Sequence, residues 1–104
     1  MNVEQIKAAV ESNPIVVFAK GTRQQPMCGF SAHAMQILDR AGKPYEVVDI
    51  FAEEDTRANL VSYSSWPTTP QVFIGGQLVG GSDIVEEEFE SGALQKRIEA
   101  VFGG

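Results

Sequence analysis

Cysteine is the scarcest reactive residue in this sequence. The 104-residue chain has one, with one histidine and one tryptophan. A single cysteine excludes an internal disulfide, so the chain is not a disulfide-stapled secreted scaffold. It also excludes an internal CxxC couple and a self-contained cysteine-rich metal site. Positive charge is scarce too: eight basic against fourteen acidic side chains leave a net charge of −6. That argues against sequence-independent nucleic-acid binding and docking on anionic membranes, both of which need a basic face. No stretch approaches the ~18 apolar residues of a membrane span. Met1 to Val10 lacks the basic start and apolar core of a signal peptide. These absences point to a reducing, cytoplasm-like compartment; an organellar stroma or matrix fits as well if a transit peptide has been removed. The 43% of hydrophobic residues is ordinary for a globular chain, and the length predicts one domain over 1–104.

The apolar pattern orders the chain. Asn2 and Gln5 form a capping-box signature for a first helix with Val3, Ile6 and Val10 on one face. Asn13-Pro14 stops it. Ile15-Val16-Val17-Phe18-Ala19 is a continuous apolar run, as in a strand buried on both faces. Lys20 to Met27 is a polar loop. Helical spacing runs from Cys28 to Arg40, and Gly42 and Pro44 end it. Tyr45 to Ile50 reads as a second strand. Glu53-Glu54-Asp55 is expected in the first turn of a third helix, where negative charge suits the dipole; Thr56, Leu60 and Tyr63 form its inner face. Two strand-like runs around Gly75-Gly76 predict a hairpin with a type I′ turn. Ser82 or Asp83 is expected to cap the next helix, and Leu94, Ile98 and Val101 give a last amphipathic turn or two. The element order predicts an α/β chain with a four-stranded mixed sheet and helices on both faces, a thioredoxin-like arrangement.

Cys28 is the candidate for chemistry. It stands where a polar loop becomes a helix, so unpaired backbone N–H groups and the helix dipole favour its thiolate. Lys20 and Arg23 are placed to add positive charge. Gly29 leaves the sulfur open. The plainer reading, a small buried hydrophobe, is what a lone cysteine usually is. His33 lies about 140° round the helix from Cys28 and reads as a surface or half-buried residue. Trp66 reads as a loop anchor near the site. Glu86-Glu87-Glu88 and Glu90 read as a solvated helix face, and Gly75-Gly76 as a turn.

The segment Lys20-Gly21-Thr22-Arg23-Gln24-Gln25-Pro26-Met27-Cys28-Gly29-Phe30-Ser31 resembles the active-site segment of monothiol, CGFS-type glutaredoxins. Trp66-Pro67-Thr68-Thr69-Pro70-Gln71 and Gly80-Gly81-Ser82-Asp83 continue the match in register. The resemblance implies a thioredoxin fold that binds glutathione through Lys20, Arg57, Thr69, Ser82 and Asp83, beside Cys28. Lys20 and Arg57 suit the ligand's carboxylates. Without the resemblance, Arg57 reads as a solvated helix charge paired with Glu53. The resemblance also implies a cis bond between Thr69 and Pro70, and it places the Thr69 backbone against the peptide like an added strand. Ser82 and Asp83 suit the γ-glutamyl end. Two positions depart from the family pattern. Ser82 stands where many members carry a second cysteine. Thr69 stands where an aromatic or aliphatic residue is common.

Two functions follow from the resemblance. A [2Fe–2S] cluster needs four thiolate-type ligands. One chain supplies one; two chains and two glutathiones supply four. The resemblance therefore implies an iron–sulfur carrier. It would form a cluster-bridged homodimer, with Cys28 as the protein's metal ligand. BolA-like proteins and apo iron–sulfur acceptor proteins would be its partners. The alternative is a glutathione-dependent thiol–disulfide oxidoreductase that uses Cys28 as sole nucleophile. The five residues Thr22 to Pro26 resemble the extended loop of the carrier class, in which reductase turnover is weak.

Overall fold

A computed structural model describes residues 1–103. Among these residues five helices and four strands follow one another. They are α1 (Val3–Ser12), β1 (Ile15–Ala19), α2 (Gly29–Ala41), β2 (Glu46–Asp49) and α3 (Thr56–Ser64), then β3 (Gln71–Ile74), β4 (Gln77–Gly80), α4 (Ser82–Ser91) and α5 (Ala93–Phe102). Local chemistry sets most of these bounds. Asn2 Oδ1 accepts the Gln5 N–H, and Gln5 Oε1 accepts the Asn2 N–H, each at 2.8 Å. That reciprocal pair starts α1. Gly42 ends α2 in the left-handed region, with φ at 80°. Gly75 and Gly76 both take positive φ, 61° and 80°, as the type I′ turn requires.

The strands form one sheet in the order β2-β1-β3-β4. β1 and β2 are parallel; β1–β3 and β3–β4 are antiparallel. β1 is buried along its whole length, as its unbroken apolar run predicts. Its side chains alternate between two cores. Ile15, Val17 and Ala19 meet Leu38 of α2, Val85 of α4 and Leu94 and Ile98 of α5. Val16 and Phe18 meet Ile6 and Val10 of α1, Leu60 of α3 and Phe73 of β3. The Phe18 and Phe73 rings meet edge to face, 5.6 Å between centroids. Full burial of a ring such as Phe18 contributes about 2–3 kcal/mol. Helices therefore cover both faces, and the ends of β1 and β3 deliver the loops that carry the candidate site.

Three local expectations are corrected. Glu53-Glu54-Asp55 precedes α3 instead of filling its first turn. Glu53 Oε2 and Asp55 Oδ1 instead accept from the Met1 ammonium, at 2.8 and 2.9 Å. Asp55 still stands at the N-cap of α3, so its charge serves both the ammonium and the helix terminus. The N-cap of α4 is Gly81, and neither Ser82 nor Asp83 caps through its side chain. Finally, α5 runs for ten residues, because Leu94 and Ile98 bury one full face against the sheet.

Candidate functional site

Cys28 is the N-cap of α2, in an extended conformation (φ −150°, ψ 136°). Its sulfur makes no well-aligned capping bond, so the nearby N–H groups act on it as oriented dipoles. The Ser31 N–H is the largest influence holding the thiol below its ordinary range; partial burial opposes it, and the Phe30 N–H, the Lys20 charge and the Ser31 hydroxyl reinforce it. A Cβ placed on Gly29 would meet nothing within 4 Å, so space next to the thiol is open. Met27 and Phe30 flank it as exposed apolar side chains, 67% and 64% accessible.

The loop before Cys28 is a small closed hairpin. Thr22 and Gln25 exchange backbone hydrogen bonds at 3.2 Å, and the Met27 N–H donates to Lys20 O at 2.8 Å. Asp49 Oδ1 accepts from the Gly21 N–H at 3.0 Å and from the Phe51 N–H at 2.9 Å, tying the loop base to the end of β2. Gly21 has φ at 97°, and a Cβ there would lie 2.5 Å from Gln25 O and 2.6 Å from Met27 N. Only glycine fits. Arg23, expected to lend charge to Cys28, turns away from it. Its guanidinium donates to Tyr45 O and lies 4.0 Å over the Tyr45 ring. The Tyr45 hydroxyl in turn donates to Asp39 Oδ1 at 2.6 Å and reaches Met35 O at 3.2 Å, both on α2. Burial first, then the Asp39 hydrogen bond, pushes the Tyr45 phenol up to about 12.

A cavity of about 420 Å³ lies beside this loop, and Lys20, Arg57, Thr69, Ser82 and Asp83 all line it. These five residues come from four separated segments, so the fold brings together the set named from the sequence. Cys28 does not line the cavity itself, but Lys20 and Phe30, on either side of it, do. Lys20 and Arg57 make no ion pair among the described residues; Glu53, the expected partner of Arg57, is engaged by Met1. The cavity thus holds two uncommitted cations and one exposed carboxylate, Asp83. Ser82 is buried, and it and Asp83 open α4, where backbone N–H groups are unpaired. The Thr69–Pro70 bond is cis. Trp66 lines the cavity, as expected of a loop anchor near the site.

Two supporting residues were missed in the sequence. Gln71 is fully buried, and its Nε2 donates to Trp66 O at 2.9 Å and Thr68 O at 3.0 Å. It pins the Trp66–Thr69 segment from beneath. The available signal was a polar residue opening an otherwise apolar strand. Ile84 is the second: it lies over Gly80, where a Cβ would come within 2.7 Å of its Cδ1. That close approach seats the start of α4 at the cavity. Two members of the acidic run are engaged as well. Glu88 takes a two-point bond from Arg97, at 2.6 and 3.2 Å, and Glu86 lies 3.4 Å from half-buried His33. Among the described residues no three His, Cys, Asp or Glu side chains cluster as a metal site, and no helix is long and apolar enough to cross a membrane.

The glutaredoxin family model matches residues 15–79. An uncharacterized monothiol glutaredoxin ycf64-like of Synechocystis is 44% identical over 95 residues, covering 91% of this chain and 89% of that protein. Glutaredoxin 4 of Escherichia coli K12 is 45% identical over 96 residues, covering 92% and 84%. Among solved structures, reduced poplar apo GrxS14 superposes with a TM-score of 0.85 at 42% identity, covering 97% of this chain and 93% of that one. A buckwheat glutaredoxin–glutathione complex gives 0.85 at 30% identity, covering 96% and 89%.

Proposed function

Since the chain belongs to the glutaredoxin family and matches monothiol members over most of its length, we propose that it binds glutathione in the cavity beside Cys28. We further propose that it carries and transfers a [2Fe–2S] cluster between two protomers, acting as one domain over 1–104. The observation that carries this reading is a single activated thiol at the rim of a cavity with two free cations. Glutathione is a tripeptide with two carboxylates and one ammonium group. Lys20 and Arg57 pair with carboxylate. The Thr69 backbone joins the peptide as an added strand. The N–H groups opening α4 at Ser82 take the γ-glutamyl carboxylate, and Asp83 takes the ammonium. The donor set also suits the cargo. Thiolate is the ligand that iron–sulfur clusters require, and Cys28 is held toward thiolate with open space before it. Exposed Met27 and Phe30 give the second protomer an apolar face to approach. Cargo held partly by exchangeable glutathione suits handover to BolA-like proteins and apo iron–sulfur acceptors in a reducing compartment.

The lowered thiol pKa favours a second activity on the same residues. Cys28 thiolate would attack the glutathione sulfur of a protein–glutathione disulfide and release the protein thiolate. A second glutathione thiolate would then attack the Cys28–glutathione disulfide. It would leave as oxidised glutathione and return Cys28 as thiolate.

Anaerobic reconstitution with iron, sulfide and glutathione, followed by visible spectroscopy and sizing, tests the carrier reading. A coloured dimer is expected, and a colourless monomer overturns it. Cys28→Ser should lose the colour with an unchanged far-UV spectrum; iron retained by that variant means the ligand assignment is wrong. High reductase turnover would favour the second activity.

A further inference from the structure

Four buried side-chain polar atoms among the described residues have no hydrogen-bond partner: Trp66 Nε1, Thr69 Oγ1, Gln71 Oε1 and Gln95 Oε1. Two of them belong to residues that line the cavity, Trp66 and Thr69. Buried polar groups in folded proteins are nearly always paired, since an unpaired one is unfavourable. Other polar atoms of Gln71 and Trp66 are paired: Gln71 Nε2 donates to two carbonyls of the same segment, and the Trp66 backbone N–H donates to Ser64 Oγ at 3.1 Å. The Thr69 hydroxyl oxygen is buried and unpaired, like Trp66 Nε1 and Gln71 Oε1, on a residue that lines the cavity.

We infer that the Thr69 hydroxyl is a specificity-determining group of the cavity, giving the bound peptide a side-chain hydrogen bond in addition to any made by the Thr69 backbone. The inference rests on the glutathione reading above. Thr69 is only partly buried, and rotation about its single χ1 bond moves the hydroxyl between staggered positions, one of which serves the ligand. A hydroxyl both donates and accepts. The same cavity is lined by the Lys20 and Arg57 cations and by the Asp83 carboxylate. The two cations suit a ligand that carries carboxylates, and the hydroxyl's partner on it is a carboxylate or a peptide carbonyl.

A hydroxyl that serves the ligand has two consequences of opposite sign, which separate it from a structural role. Thr69→Val replaces the hydroxyl with a methyl of nearly the same size. In the free protein it removes an unpaired polar atom, so the thermal midpoint should be unchanged or higher. In the complex it removes a hydrogen bond, so calorimetric titration of the reduced full-length chain should show glutathione bound about three- to tenfold more weakly. Thr69→Ser keeps the hydroxyl and should bind within about twofold of the wild type. Thr69→Ala removes the hydroxyl with less bulk, and its affinity should follow that of Thr69→Val. Unchanged affinity in Thr69→Val overturns the inference. A lowered midpoint in that variant, with no recovery of affinity in Thr69→Ser, also overturns it, because the hydroxyl then serves the fold. If the wild type itself fails to bind glutathione, the reading of the cavity falls and takes the inference with it.

Discussion

Gly21→Ala should be the most damaging single-methyl substitution in the loop before the thiol. Two effects add at this position. The first is conformational: Gly21 has φ at 97°, and an L-residue held in that region costs about 1–2 kcal/mol. The second is steric. The new Cβ would stand 2.5 Å from Gln25 O and 2.6 Å from Met27 N, both backbone atoms, and 2.8 Å from Met27 Cγ. Met27 can rotate its side chain, but the two backbone atoms are fixed by the hairpin's own hydrogen bonds. Forcing them apart adds about 1–3 kcal/mol. Gly76→Ala is the internal control. It has φ at 80° and nothing within 4 Å of its Cβ, so it carries the conformational effect alone. The difference between the variants, about 2 kcal/mol, corresponds to about 8–16 °C in thermal midpoint for a chain of this size. Thermal unfolding followed by circular dichroism measures both. The Cys28 titration, read by the pH dependence of alkylation, should move much less than the stability does. Its two backbone contributions come from Ser31 and Phe30 at the start of α2, outside the loop. Equal midpoints for the two alanine variants would refute the steric argument. A thiol restored to its ordinary value in Gly21→Ala would show that the loop, not the helix start, activates Cys28.

Two further outcomes follow from the same geometry. The alkylation midpoint of Cys28 should lie below the ~8.5 of a free thiol, and Lys20→Gln should raise it, since the Lys20 charge favours the thiolate. Because the folded-state value is depressed, the associated stability is present above the unfolded-state pKa and fades as pH falls through the folded-state one; a midpoint above that of a free thiol would contradict this. Gln71→Leu should destabilise the protein by about 1–3 kcal/mol, because it leaves Trp66 O and Thr68 O without their donor, partly offset by removing the unpaired Gln71 Oε1. A midpoint within a degree of wild type would show that the segment holds itself.

Most features that depended on neighbours in sequence were legible in advance, although the N-cap of α4, Gly81 in place of Ser82 or Asp83, was not. The Asn2–Gln5 capping box, the β1 run, the Gly42 stop and the Gly75-Gly76 turn each rest on a few adjacent residues. The convergence of Lys20, Arg57, Thr69, Ser82 and Asp83 was legible for a different reason: three spaced motifs carried a family resemblance. Long-range choices between equally good local options were not legible. Arg23 could serve the thiol or stack on Tyr45, and only the fold brings the ring within reach. The Glu53–Asp55 run was expected inside the helix, and only the fold brings the Met1 ammonium to Glu53 and Asp55. Gln71 read as a strand residue and is one, but that its side chain binds the carbonyls of its own preceding loop was not visible.

Tyr45 holds both stretches of chain that meet at the reactive sulfur. The loop before Cys28 reaches the ring through Arg23, and the helix after it reaches the phenol through Asp39. That phenol keeps its proton until about pH 12, while the thiol loses its own below the ordinary thiol range. The two titrations are therefore well separated. Across the whole interval in which Cys28 changes between thiol and thiolate, its anchor stays in one protonation state, so the sulfur gains or loses charge on a frame that does not titrate with it.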